Sequence, residues 1–293
     1  MSALASYRNH LRAQPGFNVI ALVSDWSPTG DWLNSTPSAR ELVRGATQRA
    51  RTLGYSLQHF NTWENEMTPP RLSQILHARG IRGLIIAPFA APSALVDLDW
   101  NGFSIVTIER PLHYGSFHHI VPNYYADMTL VHHHLRAKGY QSPGLILEHK
   151  RSERAAHQWE AAHDLVQKSA PTPVPSLTLA SLTSSRQILD WYDRHRPDVV
   201  VGVNNAILRA FKSAGIKIPQ QVGYASLNAM DDALDEFPRV SGILQPRASM
   251  GAAAIDILNT QLQLNHRGPG SVSLGTHADG TWSEGETLRA TNT

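Results

Sequence analysis

Short runs of apolar residues alternate with amphipathic stretches along most of this chain. Asn18-Val-Ile-Ala-Leu-Val23, Gly83-Leu-Ile-Ile86 and Asp198-Val-Val-Val201 carry almost no polar position. A strand that apolar is buried on both faces, which is the condition of a parallel sheet covered by helices. The pattern predicts strands at 17–23, 55–60, 83–87, 104–108 and 118–121, with helices at 37–53 and 70–78 between them. Thr36 stands as the N-cap of the first helix, with Pro37 at its first position. Gly54 and Gly80 stop these helices. A second pass predicts helices at 124–138, 153–168, 184–195, 206–214 and 249–264. Its strands are predicted at 144–147, 198–201, 222–227 and 240–244. The tail from Ser271 to Leu288 alternates as edge strands about the turn Ala278-Asp279-Gly280. The βαβ crossovers are expected to be right-handed.

The class is therefore α/β, with two Rossmann-like lobes of parallel sheet joined by three crossings. The expected division is a remnant at 1–16, a first lobe of 17–121 plus 246–270, and a second lobe of 122–245 plus 271–293. Ligands of open α/β sheets bind outside the carboxyl ends of the strands. Two such sheets facing each other would clamp a small molecule.

Composition narrows the class. The 293 residues are 42% hydrophobic and 17% charged, ample for two cores. A formal net charge of +2 argues against a broad nucleic-acid-binding face. There is no cysteine, which removes disulfides, thiolate catalysis and Cys–zinc sites together. The N-terminal segment lacks the apolar core of a signal peptide, and no run approaches the ~18 apolar residues of a membrane span. The expectation is a cytoplasmic protein that needs no membrane.

A polar ligand such as a sugar needs planar hydrogen-bonding side chains for its hydroxyls and aromatic rings for its C–H faces. The strand ends supply both. Asp25, Trp26 and Trp32 come from the first loop, and Glu109 ends a first-lobe strand. Arg154 starts a second-lobe helix, or Arg151 does so in its place, with Trp159 near it. Asn204 and Asn228 end second-lobe strands, and Gln245 lies at a crossing. His132-His-His134 does not read as a metal site, because consecutive helical residues point in different directions. The chain has no Gly-x-Ser-x-Gly elbow and no Walker loop. Asp25 with Glu109 as a glycosidase pair is the enzymatic alternative. No catalytic residue, metal or cofactor is expected.

Several segments together resemble the effector-binding part of the LacI/GalR transcription regulators. They are Arg51-Thr-Leu-Gly-Tyr55, Gly80-Ile-Arg-Gly-Leu-Ile-Ile-Ala87, Ile108-Glu-Arg-Pro111, Leu135-Arg-Ala-Lys-Gly-Tyr140, Gly215-Ile-Lys-Ile-Pro219 and Leu244-Gln-Pro246 with Gly251-Ala-Ala-Ala254. No one of them is specific; their order and spacing are. The resemblance implies a periplasmic-binding-protein-like type I fold and a small-molecule effector, expected to be a sugar. It also implies a homodimer in which ligand-driven closure sets DNA affinity. The family carries its helix-turn-helix ahead of the first strand, whereas 16 residues precede Phe17 here, and Ala3-Leu-Ala-Ser-Tyr-Arg8 resembles the linker after that headpiece. DNA contact is thus expected only through a headpiece outside this chain. A solute-binding protein of a sugar transport system is the alternative. Amides at Asn204, Asn205 and Asn228 stand where family members often place acids.

Overall fold

A computed structural model of the chain describes residues 19–25, 36–63, 67–88, 97–109, 116–235 and 237–290. The 1–16 segment, Trp26 and Trp32 lie outside them. The chain divides into two compact units, Met1–Val121 with Arg247–His277, and Pro122–Pro246 with Ala278–Thr293. It therefore passes from one unit to the other three times, after Val121, after Pro246 and after His277.

In the first unit, β1 (Val19–Ser24), β2 (Ser56–Asn61), β3 (Gly83–Ile86), β4 (Ser104–Ile108) and β5 (His118–Pro122) pair in parallel, in the order β5-β4-β3-β1-β2. β11 (Gly275–Ala278) adds beyond β5. β1, β3 and β4 are buried almost throughout, as their apolar composition requires. Helix α1 (Pro37–Thr52) begins as expected: the Thr36 hydroxyl accepts the Ala39 N–H at 3.2 Å and Pro37 opens the first turn. Helix α2 (Pro69–Ala78) seals one face of the sheet with Leu72 and Leu76, both fully buried. Each contributes roughly 1.5–3 kcal/mol by that burial.

In the second unit, helix α3 (Tyr124–Ala137) leads to β6 (Pro143–Glu148), and α4 (His149–Arg154) and α5 (Gln158–Gln167) follow. Then come β7 (Leu177–Leu179), α6 (Ser185–His195), β8 (Val199–Gly202), α7 (Ala206–Ser213), β9 (Gly223–Ser226), α8 (Ala229–Asp232) and β10 (Gly242–Leu244). The sheet order is β12-β10-β9-β8-β6-β7, with β12 (Thr281–Ser283) antiparallel at one edge. Helix α9 (Arg247–Leu264) returns to the first unit and packs on α1, β3 and β4.

Three expectations are corrected. The helix expected over 153–168 is two, α4 and α5. Ala156 and His157 take φ of 50° and 57°, the Ala156 N–H reaches the Glu153 carbonyl, and the His157 N–H reaches that of Ser152. That is a Schellman ending built without glycine, so no residue type announced it. The tail does not belong wholly to the second unit, because residues 271–277 lie in the first, where the His119 N–H bonds the Leu274 carbonyl. Its two strands are not a hairpin, since they join different sheets. Third, strand β7 occupies residues for which no strand was expected. Among the described residues no helix is long and apolar enough to cross a membrane.

Candidate ligand-binding site

Strands β10, β9, β8 and β6 are neighbours and parallel, so their carboxyl ends share one edge of the second unit. Gln245 follows β10, Asn228 follows β9 by two residues, Asn204 follows β8 by two, and Glu148 ends β6. With strands about 4.8 Å apart, four polar side chains form a row roughly 14 Å long.

The row is held by its own bonds. Glu148 accepts from the Leu182 N–H on one oxygen, at 3.2 Å. Its other oxygen accepts from Asn204 Nδ2 and Arg151 Nε, both at 3.3 Å. Asn204 Oδ1 takes the Ala206 N–H at 2.9 Å at the start of α7, which fixes which way the amide faces. Asn228 donates Nδ2 to Asp231 at 2.7 Å, and its N–H bonds the Ser226 hydroxyl. Gln245 is buried and donates Nε2 to the Leu227 carbonyl. Its Oε1 has no hydrogen-bond partner among the described residues, a buried acceptor of the kind a ligand hydroxyl satisfies.

Beneath this row, Asp232 accepts from Tyr224 Oη at 2.7 Å and Ser226 Oγ at 2.6 Å. Burial pushes its carboxyl up to about 6, against the pull of those two hydrogen bonds. Burial, with the Asp232 charge added, pushes the Tyr224 hydroxyl well above its ordinary range. Ser226 touches both Asp232 and the Asn228 backbone, so the state of that carboxyl bears on the edge above it.

Arg154 is half-buried at the end of α4. Trp159 is placed differently from an edge residue. It lies in the core with its ring edge-on to Tyr124 at 4.8 Å, although its indole N–H has no partner among the described residues.

In the first unit, Asp25 directly follows β1, Asn61 ends β2 and Glu109 follows β4, all buried at the carboxyl edge. One strand, β3, separates Asp25 from Glu109, so they stand roughly 10 Å apart along the edge. Glu109 is held at φ 62°, with its N–H on the Ile120 carbonyl and its own carbonyl accepting from Thr107 Oγ1. A non-glycine residue there is strained by about 1–2 kcal/mol, which surrounding contacts must offset. Arg247, the first residue of α9, meets the Glu109 carboxylate at 3.0 Å, both side chains nearly buried.

Sequence reasoning missed Glu148, Asn61 and Arg247. A signal for Arg247 was present: a cation on the first turn of a helix opposes the helix dipole and so points to a specific anionic partner. Among the described residues, no three His, Asp or Glu gather as for a metal ion. Carboxylates, amides and guanidinium groups at strand ends make a surface for hydroxyl-bearing ligands rather than for a metal.

A family model for the periplasmic binding protein-like domain matches residues 132–278. No curated protein matches the chain. Solved structures do so across nearly its whole length. A complex of the transcriptional regulator CelR with cellobiose has a TM-score of 0.70 at 17% identity, covering 98% of this chain and 90% of its own. A periplasmic binding protein/LacI transcriptional regulator from Alkaliphilus metalliredigens QYMF, complexed with D-xylulofuranose, has a TM-score of 0.67 at 17% identity, covering 93% and 100%. The lac repressor dimer bound to operator and the anti-inducer ONPF has a TM-score of 0.67 at 16% identity, covering 98% of each chain. At these identities the likeness is one of fold.

Proposed function

We propose that this chain, which belongs to the periplasmic binding protein-like domain family, is the ligand-sensing part of a LacI-type transcriptional regulator and that its effector is a sugar. The observation that carries the reading is the row Glu148, Asn204, Asn228 and Gln245 on adjacent strand ends, with a buried acceptor left over at Gln245. The sugars in the CelR and Alkaliphilus complexes support it, as does the likeness to regulators. Asp25, Glu109 and Arg154 are the further contacts we assign, with Trp26 and Trp32 as stacking faces. The reading is that of a binding protein, not an enzyme, and it places the work in the cytoplasm, where operators are.

In mechanism, the carboxylates and amides at the strand ends accept from and donate to sugar hydroxyls. A ligand bound better by one of two arrangements of the chain favours that one. It shifts the equilibrium by no more than its difference in affinity for the two arrangements. DNA headpieces attached to the first unit would feel that shift, and operator and effector affinities would then be linked reciprocally.

The test is a thermal-shift series with cellobiose, ribose and other mono- and disaccharides. A sugar at a hundred times its Kd adds about 2.7 kcal/mol, several degrees in Tm. Asn204→Ala and Asn228→Ala should each remove most of the shift while leaving the unliganded Tm within a few degrees. If no sugar moves Tm, or if both variants respond like the parent, the sugar reading is wrong.

A further inference from the structure

A pocket lies wholly within the first unit, at the amino ends of β4 and β5 and so at the opposite edge of that sheet from Asp25 and Glu109. Its volume is about 370 Å³, within the range of small-molecule sites. One wall is the loop that follows α9. Three bonds fix that loop to the sheet: Ser104 Oγ to the His266 carbonyl, Gly268 N–H to that of Phe103, and Gly270 N–H to that of Ser116. Gly268 sits at φ 69°, and a Cβ there would stand 2.6 Å from Asn101 Oδ1, so the loop's path is specific.

Three of the polar lining residues present donors. Gln261 is buried and its Oε1 is taken by the Ile105 N–H at 3.0 Å. The amide nitrogen is thereby the group it presents, and among the described residues that nitrogen has no partner. His118 Nδ1 accepts the Leu274 N–H at 3.0 Å, so in the neutral ring the proton lies on Nε2 and that atom donates. Arg267 commits Nε to Asn265 Oδ1 at 3.2 Å and keeps its two terminal nitrogens for a ligand. No acid lines the pocket. In the last turn of α9 the Leu262 and Gln261 carbonyls, which would repel an anion, are taken by the Asn265 and His266 N–H groups. Ile105, Phe117 and Val272 form the apolar remainder.

We propose that this pocket binds a small organic carboxylate, its charged end on Arg267, His118 and Gln261 and an apolar body against Ile105, Phe117 and Val272. Donors with no carboxylate beside them select an acceptor, and a fixed positive charge selects an anionic one. The apolar wall selects against a bare inorganic anion. The pocket shares no residue with the sugar contacts, so it stands or falls independently of them.

Titration of the full chain with benzoate tests this, followed calorimetrically and by backbone NMR shifts. The expected result is saturable binding with shifts centred on residues 265–274. Benzamide, of the same shape without the charge, and inorganic phosphate, charged without the ring, should each bind at least about tenfold more weakly. Arg267→Glu, a change at an exposed residue, should abolish the titration without altering Tm, while Asn204→Ala should leave it unchanged. Absence of saturation, equal binding of benzamide or of phosphate, or an unaffected Arg267→Glu titration would each overturn the proposal.

Discussion

Gln167 decides where the protons sit on two buried histidines. Its Oε1 accepts the Val174 N–H, so Nε2 faces both the Pro143 carbonyl and His163 Nε2, the latter at 2.8 Å. An amide nitrogen only donates, so His163 Nε2 must accept and its proton lies on Nδ1. That proton is donated to His132 Nε2 at 3.0 Å, which places the His132 proton on Nδ1. A proton added to His163 Nε2 would meet the Gln167 N–H. Burial, helped by the His132 charge, lowers His163 to about 3, and burial with Arg136 lowers His132 to about 4. In the unfolded chain both titrate near 6.5. The unfolded state therefore binds more protons below that pH. The pair's contribution is full above about 6.5 and falls away as pH drops toward 4. Between pH 7 and pH 5 the parent should lose roughly 2–4 kcal/mol more stability than a His132→Leu/His163→Leu variant. Urea unfolding at the two pH values measures it, and equal losses would refute the buried neutral pair. Nothing in His132-His-His134 showed this: the spacing said only that the three diverge, while the partner lies 31 residues away on another helix. The same holds for Glu109, whose strand-end place was legible but whose Arg247 partner is 138 residues on.

Local chemistry made most elements legible. The Thr36–Pro37 start of α1, and the glycines after α1, α2 and α3, mark boundaries because capping and left-handed endings are short-range. The break at Ala156 was not legible, because alanine there carries no turn signal. The most demanding contact between elements is the crossing of α1 on α9. A Cβ at Gly45 would stand 1.9 Å from the Ala248 carbonyl oxygen, and one at Gly251 would stand 2.1 Å from that of Leu42. The helices meet backbone to backbone, fastened by Arg49 on Asp256 at 2.7 Å and Tyr55 on Asn259 at 3.1 Å. Gly251→Ala gains up to about 1 kcal/mol in helix propensity but forces the backbones apart, so a net loss of about 1–3 kcal/mol is expected. An unchanged or raised urea midpoint would mean that the helices have room to spare.

At the scale of the whole molecule, the α/β class was legible because strands buried on both faces leave long apolar runs, and β1, β3 and β8 are such strands. The tail was not, because its alternation fits any sheet edge. What separates β11 from β12 is a crossing of the chain, which no periodicity records. The regulator reading carries an expectation at this scale too. Palindromic operators need paired half-sites, so the chain should form a homodimer. Its expected surface is the α1 and α9 pair of the first unit. Sedimentation at micromolar concentration should give twice the 32.3 kDa chain mass, and a pure monomer would count against it.

The three crossings also set a schedule for birth on the ribosome. Strands β1–β5 emerge first, yet their sheet lacks α9 and β11 until residues 247–277 have been made. Strands β6–β10 emerge in one unbroken stretch and then want the edge strand β12 and the buried Thr287 and Leu288. Nascent chains generally fold domain by domain from the N-terminus. Here the unit that is begun first cannot complete its sheet until every strand from β6 to β10 of the other has been made, so neither unit closes before the chain beyond Pro246 emerges.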